Sequence, residues 1–286
     1  MPELPEAETI RRQLTPQVVG RRVESVWVGK RDILGRRRQA ARRFGELAAS
    51  RRITGIARRG KALLLALDGA DTLVVRLGMS GRLIVVRADE PAAPHTHVIL
   101  GLSGGRDLRY VDPRRFGEVW VARGTDAANI RGLSELGPEP FDRGLRDHFR
   151  ACLPRRSGGI KQVLMDQGFV AGLGNIYADE TLFRVGLHPA QPANTLTDDE
   201  IARLCRAIGG VLRHAIRCCG TSANDAAYVD ANGRRGSFQR CLAVYQRAGE
   251  PCRRCGTPIR RIVLHGRSAH FCPTCQKLRR RKARRR

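Results

Sequence analysis

The 286-residue chain carries 53 Lys+Arg against 27 Asp+Glu, a formal net charge of +26. That excess goes far beyond what solubility requires and points to a polyanionic partner, with nucleic acid the foremost case. No apolar run nears the roughly 18 residues of a membrane span and no basic amphipathic helix dominates, so a membrane partner is not expected.

In chain order, residues 3–14 place Leu4, Ala7, Ile10 and Leu14 at helical spacing. Glutamates come early and Arg11 and Arg12 late, as the helix dipole favours, and Thr15-Pro16 is expected to end the helix. From Val23 to about Ala122 the pattern changes to short β-rich runs: VESVWV, ALLLAL, TLVVRL, RLIVVR, HVILGL and EVWVA, separated by Gly, Pro and Asp turns. Such runs predict an antiparallel sandwich or flattened barrel. A basic helical insert, 35–50, interrupts them. Near 133–142 the β pattern stops at a linker containing Gly137, Pro138 and Pro140. Helices are predicted over 142–152, 160–167, 174–185 and 197–217, the last opening at the capping-box sequence TDDE. Residues 220–237 have no period and read as a long mobile loop. The tail 277–286, KLRRRKARRR, holds eight basic residues in ten and reads as a disordered electrostatic arm. There is no internal repeat.

The N-terminus lacks the apolar core of a signal peptide, which predicts a cytosolic chain. Nine cysteines, an odd number, argue against a disulfide framework there. Cys152, Cys205, Cys218, Cys219 and Cys241 have no paired ligand spacing and read as small core residues or incidental thiols. The other four form Cys252-x2-Cys255 and Cys272-x2-Cys275, sixteen residues apart. Two such turns complete a tetrahedral thiolate site for zinc. Four protein ligands leave no open position, so the zinc is structural. Between the pairs, PIRRIVL and SAHF alternate like a hairpin that would present Arg260, Arg261 or Arg267 to DNA.

The opening MPELPEAETI admits two readings. Pro2 can simply start a helix. Alternatively, once Met1 is removed, it is a terminal secondary amine, a nucleophile whose iminium adduct keeps a positive charge and acts as an electron sink. Lys61 likewise reads either as a surface lysine or as a functional cation at the start of a strand. Met79 and Phe116, from their own sequence, read as core residues.

Four stretches together resemble bacterial formamidopyrimidine-DNA glycosylase: PELPEAET at the N-terminus, LGMSG with YVDPRRFG, AGLGNIYADE, and the closing C-x2-C-x16-C-x2-C. The similarity runs from Pro2 to about Lys277. It implies an α+β protein with an N-terminal helix and antiparallel β-sandwich, then a helix-two-turn-helix domain and a zinc ribbon, with DNA in the cleft between domains. The implied division is a catalytic sandwich domain at 1–134, a helical DNA-binding domain with a lesion-recognition loop at 135–237, a zinc-ribbon finger at 238–276 and a basic tail at 277–286. The implied activity is excision of oxidised purines, 8-oxoguanine and formamidopyrimidines, from double-stranded DNA. Cleavage of the abasic strand by β,δ-elimination follows.

The resemblance makes Pro2 the Schiff-base nucleophile and Glu3 the proton donor and shuttle, with Glu6 supporting that geometry; Glu8 reads as a solvent-facing helix residue or dipole partner. Lys61 is implied near a phosphate with a role in β-elimination. Arg267 is implied in δ-elimination, where phosphate orientation suits a guanidinium better than proton transfer. Met79, Arg114 and Phe116 match the set that fills the gap left by the flipped base, with Arg114 donating to the orphaned cytosine. His95, Arg114, Arg156, Lys161 and Asn175 are implied in DNA contacts. One structural zinc, no catalytic metal or organic cofactor, a monomer and a bacterial cytosolic location complete the expectation. Arg76, where the family often has His, and loop 220–237 depart from the pattern. Two alternatives stay open: an endonuclease VIII-type enzyme acting on oxidised pyrimidines, and a catalytically silent zinc-ribbon DNA-binding protein.

Overall fold

The structure, a computed structural model, describes residues 2–35, 40–127, 129–222 and 228–279. Part of the basic insert, the centre of loop 220–237 and most of the tail (36–39, 223–227 and 280–286) therefore lie outside the described residues. The chain divides into two units, Met1–Glu135 with Ala215–Gln239, and Leu136–His214 with Arg240–Arg286. No helix among the described residues is long and apolar enough to cross a membrane.

The first unit begins with α1 (Leu4–Val18), which continues past the predicted stop and keeps Pro16 in its last turn. A proline there removes only one helical hydrogen bond. Val19 N still donates to Thr15 O at 3.2 Å, and burial of Val18 in the core holds the turn in place. After it come β1 (Val23–Val28), α2 (Ala41–Ala48), β2 (Ile53–Arg59), β3 (Ala62–Leu67), β4 (Asp71–Arg76), β5 (Arg82–Arg87), β6 (Thr96–Leu102), β7 (Arg106–Val111) and β8 (Glu118–Arg123). The strands form two antiparallel four-stranded sheets, ordered β1-β6-β7-β5 and β2-β3-β4-β8.

Alternation fixes which face of each sheet is dry. Val98, Leu100, Leu102, Leu108 and Tyr110 from one sheet share a core with Leu63, Leu65, Leu67, Leu73, Val75, Val119 and Val121 from the other. Ala7, Ile10, Leu14 and Val18 of α1 extend that core. Two strands, β2 and β7, were not predicted. ITGIARR has only two isoleucines among its seven residues, and RDLRYV masks Leu108 and Tyr110 with charge. Arg109 and Asp107 are nonetheless buried as a 2.8 Å pair, and Arg109 also donates to Glu90 O and Pro91 O.

Part of the 220–237 segment is docked rather than mobile. Tyr228 and Ala231 belong to the same core, Gln13 Nε2 donates to Asp230 Oδ2 at 2.7 Å, and Ala231 N donates to Gln13 Oε1 at 3.0 Å. Polar composition hid this, because the anchors are hydrogen bonds to α1 rather than an apolar periodicity.

The second unit contains α3 (Leu145–Cys152), α4 (Ile160–Met165), α5 (Asn175–Val185) and α6 (Asp198–Arg217), whose last turn passes into the first unit. Thr197 and Glu200 form the expected capping box: Thr197 N donates to Glu200 Oε2 at 2.9 Å and Glu200 N to Thr197 Oγ1 at 3.3 Å. A hairpin, β9 (Arg260–Leu264) and β10 (Arg267–Phe271), closes the chain.

Glu8 is buried, not solvent-facing, and its carboxylate meets Arg11, Arg12 and Arg58 at 2.8, 2.7 and 3.4 Å. Burial pushes this carboxyl up. The hydrogen bonds of Arg11 and Arg12 and the charges of Arg11 and Arg58 more than reverse that, leaving it at about 2. A folded-state value below the ordinary 4.5 contributes stability that is fully present above pH ~4.5 and is lost as pH falls toward 2. Glu8→Gln is expected to lower unfolding free energy at pH 7 by about 2 kcal/mol. The deficit should shrink below pH 4 in urea-denaturation curves.

Candidate active site and metal centre

Pro2 and Glu3 lie buried at the start of α1. Glu3 is the N-cap in an extended conformation (φ −111°, ψ −164°). Its carboxylate accepts from the Glu6 backbone N–H, while Glu6 Oε2 accepts from Glu3 N at 2.7 Å. This reciprocal box satisfies two of the orphan donors at a helix start. Glu6 does more: its second oxygen accepts Thr221 N at 2.7 Å. The neighbouring Gly220 (φ +82°) must be glycine, because a Cβ there would lie 2.7 Å from Glu6 Oε1. Phe238 N donates to Gly220 O, and Ser222 Oγ accepts Gly236 N. The N-terminal cap and both ends of the 220–238 segment thus share one anchor.

Lys61 lies on the two-residue turn between β2 and β3 rather than in the strand, after Gly60 at φ +56°. A glycine first in a two-residue hairpin is what a II′ turn demands. Arg58 donates to Gly60 O at 2.8 Å and also pairs with Glu8, so the Lys61 turn is tied to α1 through one guanidinium.

Met79, His95, Arg114 and Phe116 lie on three loops that converge on Asp112, which is fully buried. Asp112 Oδ1 accepts from Ser80 Oγ at 2.5 Å and Arg114 N at 3.2 Å. Oδ2 accepts from Gly117 N at 2.9 Å and Tyr110 OH at 3.2 Å. Its backbone N–H donates to His95 O at 3.0 Å. Gly78 approaches the 116–117 backbone so closely that a Cβ would lie 2.5 Å from Gly117 N. Met79 is half-buried, whereas Arg114 is exposed and Phe116 is 57% exposed, with the Arg114 guanidinium 4.8 Å above its ring. Phe116 is therefore not the core residue its own sequence suggested. Burial and the Asp112 charge push the Tyr110 hydroxyl far above its ordinary value, keeping it a neutral donor.

In the second unit, Arg156 is exposed, paired with Asp166 at 3.0 Å and 5.8 Å from the Phe169 ring centroid. Asn175 opens α5, and its buried Oδ1 has no hydrogen-bond partner among the described residues. Lys161 differs from expectation in kind: its ammonium is buried, 2.6 Å from both Asp179 Oδ1 and Ser268 O. Asp179 Oδ2 also accepts His270 N at 2.9 Å. Its neighbour Glu180 accepts three backbone N–H groups, from Ala243, Val244 and Tyr245, at 2.8 to 2.9 Å. Burial pushes Glu180 up against the pull of those donors. Arg267 is the first residue after the hairpin turn His265 (φ +47°) and Gly266 (φ +72°), and it is exposed.

Sequence reasoning missed Asp112, Asp179 and Glu180 as organising residues. The available signal was acids in otherwise apolar or turn-forming company, YVDP and NIYADETLF.

Cys252, Cys255, Cys272 and Cys275 place all four sulfurs within 4.8 Å of one another. Sγ separations of 3.4 Å (Cys255–Cys272), 3.5 Å (Cys255–Cys275) and 4.0 Å (Cys252–Cys275) are far longer than a disulfide's ~2.05 Å. They bracket the ~3.8 Å edge of a tetrahedron with ~2.3 Å zinc–sulfur bonds. Arg254 N and Cys275 N donate to Cys252 Sγ and Cys272 Sγ at 3.4 Å, as thiolates require. The donor set and spacing fit one structural zinc.

Family models describe residues 1–119 as a formamidopyrimidine-DNA glycosylase N-terminal domain, 136–226 as the H2TH domain of the same enzyme, and 249–278 as a zinc finger found in FPG and IleRS. The formamidopyrimidine-DNA glycosylase of Pelotomaculum thermopropionicum is 44% identical over 280 residues, covering 97% of this chain and 100% of the relative. The chain belongs to the formamidopyrimidine-DNA glycosylase family. Among solved structures, the MutM (Fpg) protein of Thermus thermophilus is 43% identical, with a TM-score of 0.86 over 98% of this chain and 100% of that one. The Lactococcus lactis Fpg, in complex with DNA containing an abasic site, is 33% identical with a TM-score of 0.88, covering 96% and 99%. This membership agrees with the β-sandwich, helical and zinc-ribbon elements that the glycosylase motifs led one to expect.

Two outcomes are expected. Asp112→Asn turns an amide N–H toward a backbone N–H, that of Arg114 or Gly117, whichever way it flips, so stability should fall by about 3 kcal/mol. Trypsin should then cleave after Arg114 or Arg115 at least tenfold faster. Stripping zinc with a chelator should loosen the 249–278 ribbon, because two five-residue strands tied to the helices by a few bonds are marginal without the metal. New proteolytic cuts confined to that segment are the readout.

Proposed function

We propose that this chain is a bifunctional base-excision repair enzyme that removes oxidised purines from double-stranded DNA and then cleaves the abasic strand. Support comes above all from the buried, reciprocally capped Pro2–Glu3 start of α1 in a chain carrying the whole family pattern. In this reading Met1 is removed and the Pro2 amine attacks the deoxyribose C1′, expelling the base and leaving an iminium ion. Glu3, held as N-cap, delivers the proton that opens the sugar ring and then moves protons through the eliminations. Lys61, on its anchored turn, meets a phosphate beside the lesion during β-elimination. Arg267 orients phosphate for δ-elimination, charged throughout.

Phe116 and Met79 act as wedges filling the gap left by the extruded base, and Arg114 donates to the acceptors of the orphaned cytosine. The ring exposure of Phe116 and the Arg114 stack support this role. His95, Arg156 and Asn175 contact the DNA backbone. Lys161 contributes indirectly, by holding β10 through Ser268. The working division is a catalytic domain at 1–134, a helical DNA-binding domain at 135–237, a zinc ribbon at 238–276 and a basic tail at 277–286. The protein acts as a cytosolic monomer. The zinc supplies no chemistry to the reaction; its ligands hold the ribbon that carries Arg267.

Borohydride should trap a covalent complex with abasic DNA, and Pro2→Gly should reduce trapping at least a hundredfold while leaving affinity for the same DNA within about threefold. Trapping that survives Pro2→Gly unchanged would overturn the proline mechanism. Preference for 8-oxoguanine opposite cytosine over thymine glycol is expected; the reverse preference would favour the oxidised-pyrimidine reading.

A further inference from the structure

Outside the residues assigned above, Cys152 is a nucleophile beside an oriented base. Cys152, the last residue of α3, places its Sγ 3.8 Å from Nδ1 of His148, one helical turn earlier. The other ring nitrogen of His148 lies 2.9 Å from the carbonyl oxygen of Phe169. A carbonyl only accepts, so Nε2 carries the proton and Nδ1 presents its lone pair to the thiol. The ring is further fixed by Phe149 and Phe169, at centroid distances of 6.2 and 5.2 Å. A nucleophile, a base within reach and a third group fixing the base form the arrangement that activates cysteine thiols. Cys152 and His148 are each half-buried, so the sulfur is screened without being sealed. The incidental-thiol reading of Cys152 does not account for this.

We propose that Cys152 is a modification site, an imidazole-activated thiol that reacts with peroxides and other soft electrophiles. With hydrogen peroxide the thiol proton passes to His148 Nδ1 and the sulfur attacks one peroxide oxygen. A sulfur–oxygen bond forms as the oxygen–oxygen bond breaks. The departing hydroxide takes the proton back from the imidazolium and leaves as water. Sulfur is oxidised by two electrons to the sulfenic acid while peroxide is reduced. The site lies four residues before Arg156, whose guanidinium faces the ring of the same Phe169.

Cys205 supplies an internal reference: it is half-buried on α6, and burial pushes its thiol up to about 11. The test treats the zinc-loaded, full-length protein with hydrogen peroxide and dimedone, and separately with iodoacetamide, and reads each cysteine by peptide mass spectrometry. Cys152 is expected to be labelled at least about tenfold faster than Cys205. His148→Gln keeps an N–H for the Phe169 carbonyl but removes the base, and should slow Cys152 labelling threefold or more with zinc content unchanged. If that variant fails to fold, the wild-type comparison with Cys205 decides alone. Labelling of Cys152 no faster than Cys205, or a fall of less than threefold in folded His148→Gln, would overturn the proposal.

Discussion

A single buried carboxylate, that of Glu6, sets the geometry on which the proposed chemistry depends. One oxygen closes the cap on Glu3 and the other holds Thr221 N, more than two hundred residues along the chain. The start of α1 therefore cannot shift without disturbing the 220–238 segment, and that segment cannot lift without loosening the cap. Gly220 follows from the same constraint, since any side chain there would meet the carboxylate. Two residues further along α1, Glu8 does comparable work through Arg58, reaching the Gly60–Lys61 turn. Two acids on one helix thus register three separate pieces of backbone.

The same device recurs at other loops. Asp112 gathers the Met79, His95 and Arg114 loops; Asp179 and Glu180 hold β10 and the 243–245 stretch. Loops leave backbone N–H groups without ladder partners, and an ionised carboxylate offers about four acceptor positions in a small volume. The strongly basic balance of the chain makes these acids conspicuous. Glu6, Glu8, Asp112, Asp179 and Glu180 lie inside, each surrounded by donors, so the surface keeps its positive field while the interior keeps its loops in place.

Much of this was legible before any coordinates. Apolar alternation located six of the eight sandwich strands, and the 3.6-residue period together with TDDE located α6. Cysteine spacing predicted the ribbon. The strands β2 and β7 escaped because their outward faces carry arginine, and because Arg109 is buried by pairing rather than by apolarity. Helix α1 outran its predicted end because the cost of Pro16 in a last turn is small beside the burial of Val18. For the site, the N-terminal motif was readable, but the docking of 220–238 was not, since hydrogen bonds to Gln13 and Glu6 leave no periodic trace. The burial of Lys161 was hidden for a related reason. A lysine's partner eighteen residues away, on another helix, cannot be read from spacing.

The tight turn at His265–Gly266 bears on the cost of recognition. Arg267 follows it directly, its Cα fixed by the β9–β10 register, by the Asp179 bond to His270 and by the nearby sulfur cluster. In the role proposed for it, the guanidinium would meet a phosphate as one side chain on a fixed mount. Ordering it on contact costs the rotamer entropy of a single arginine, about 2 kcal/mol. A flexible loop carrying the same group would add roughly 1 kcal/mol or more for every backbone residue immobilised. The ribbon settles that entropy when the protein folds, well before it meets a ligand.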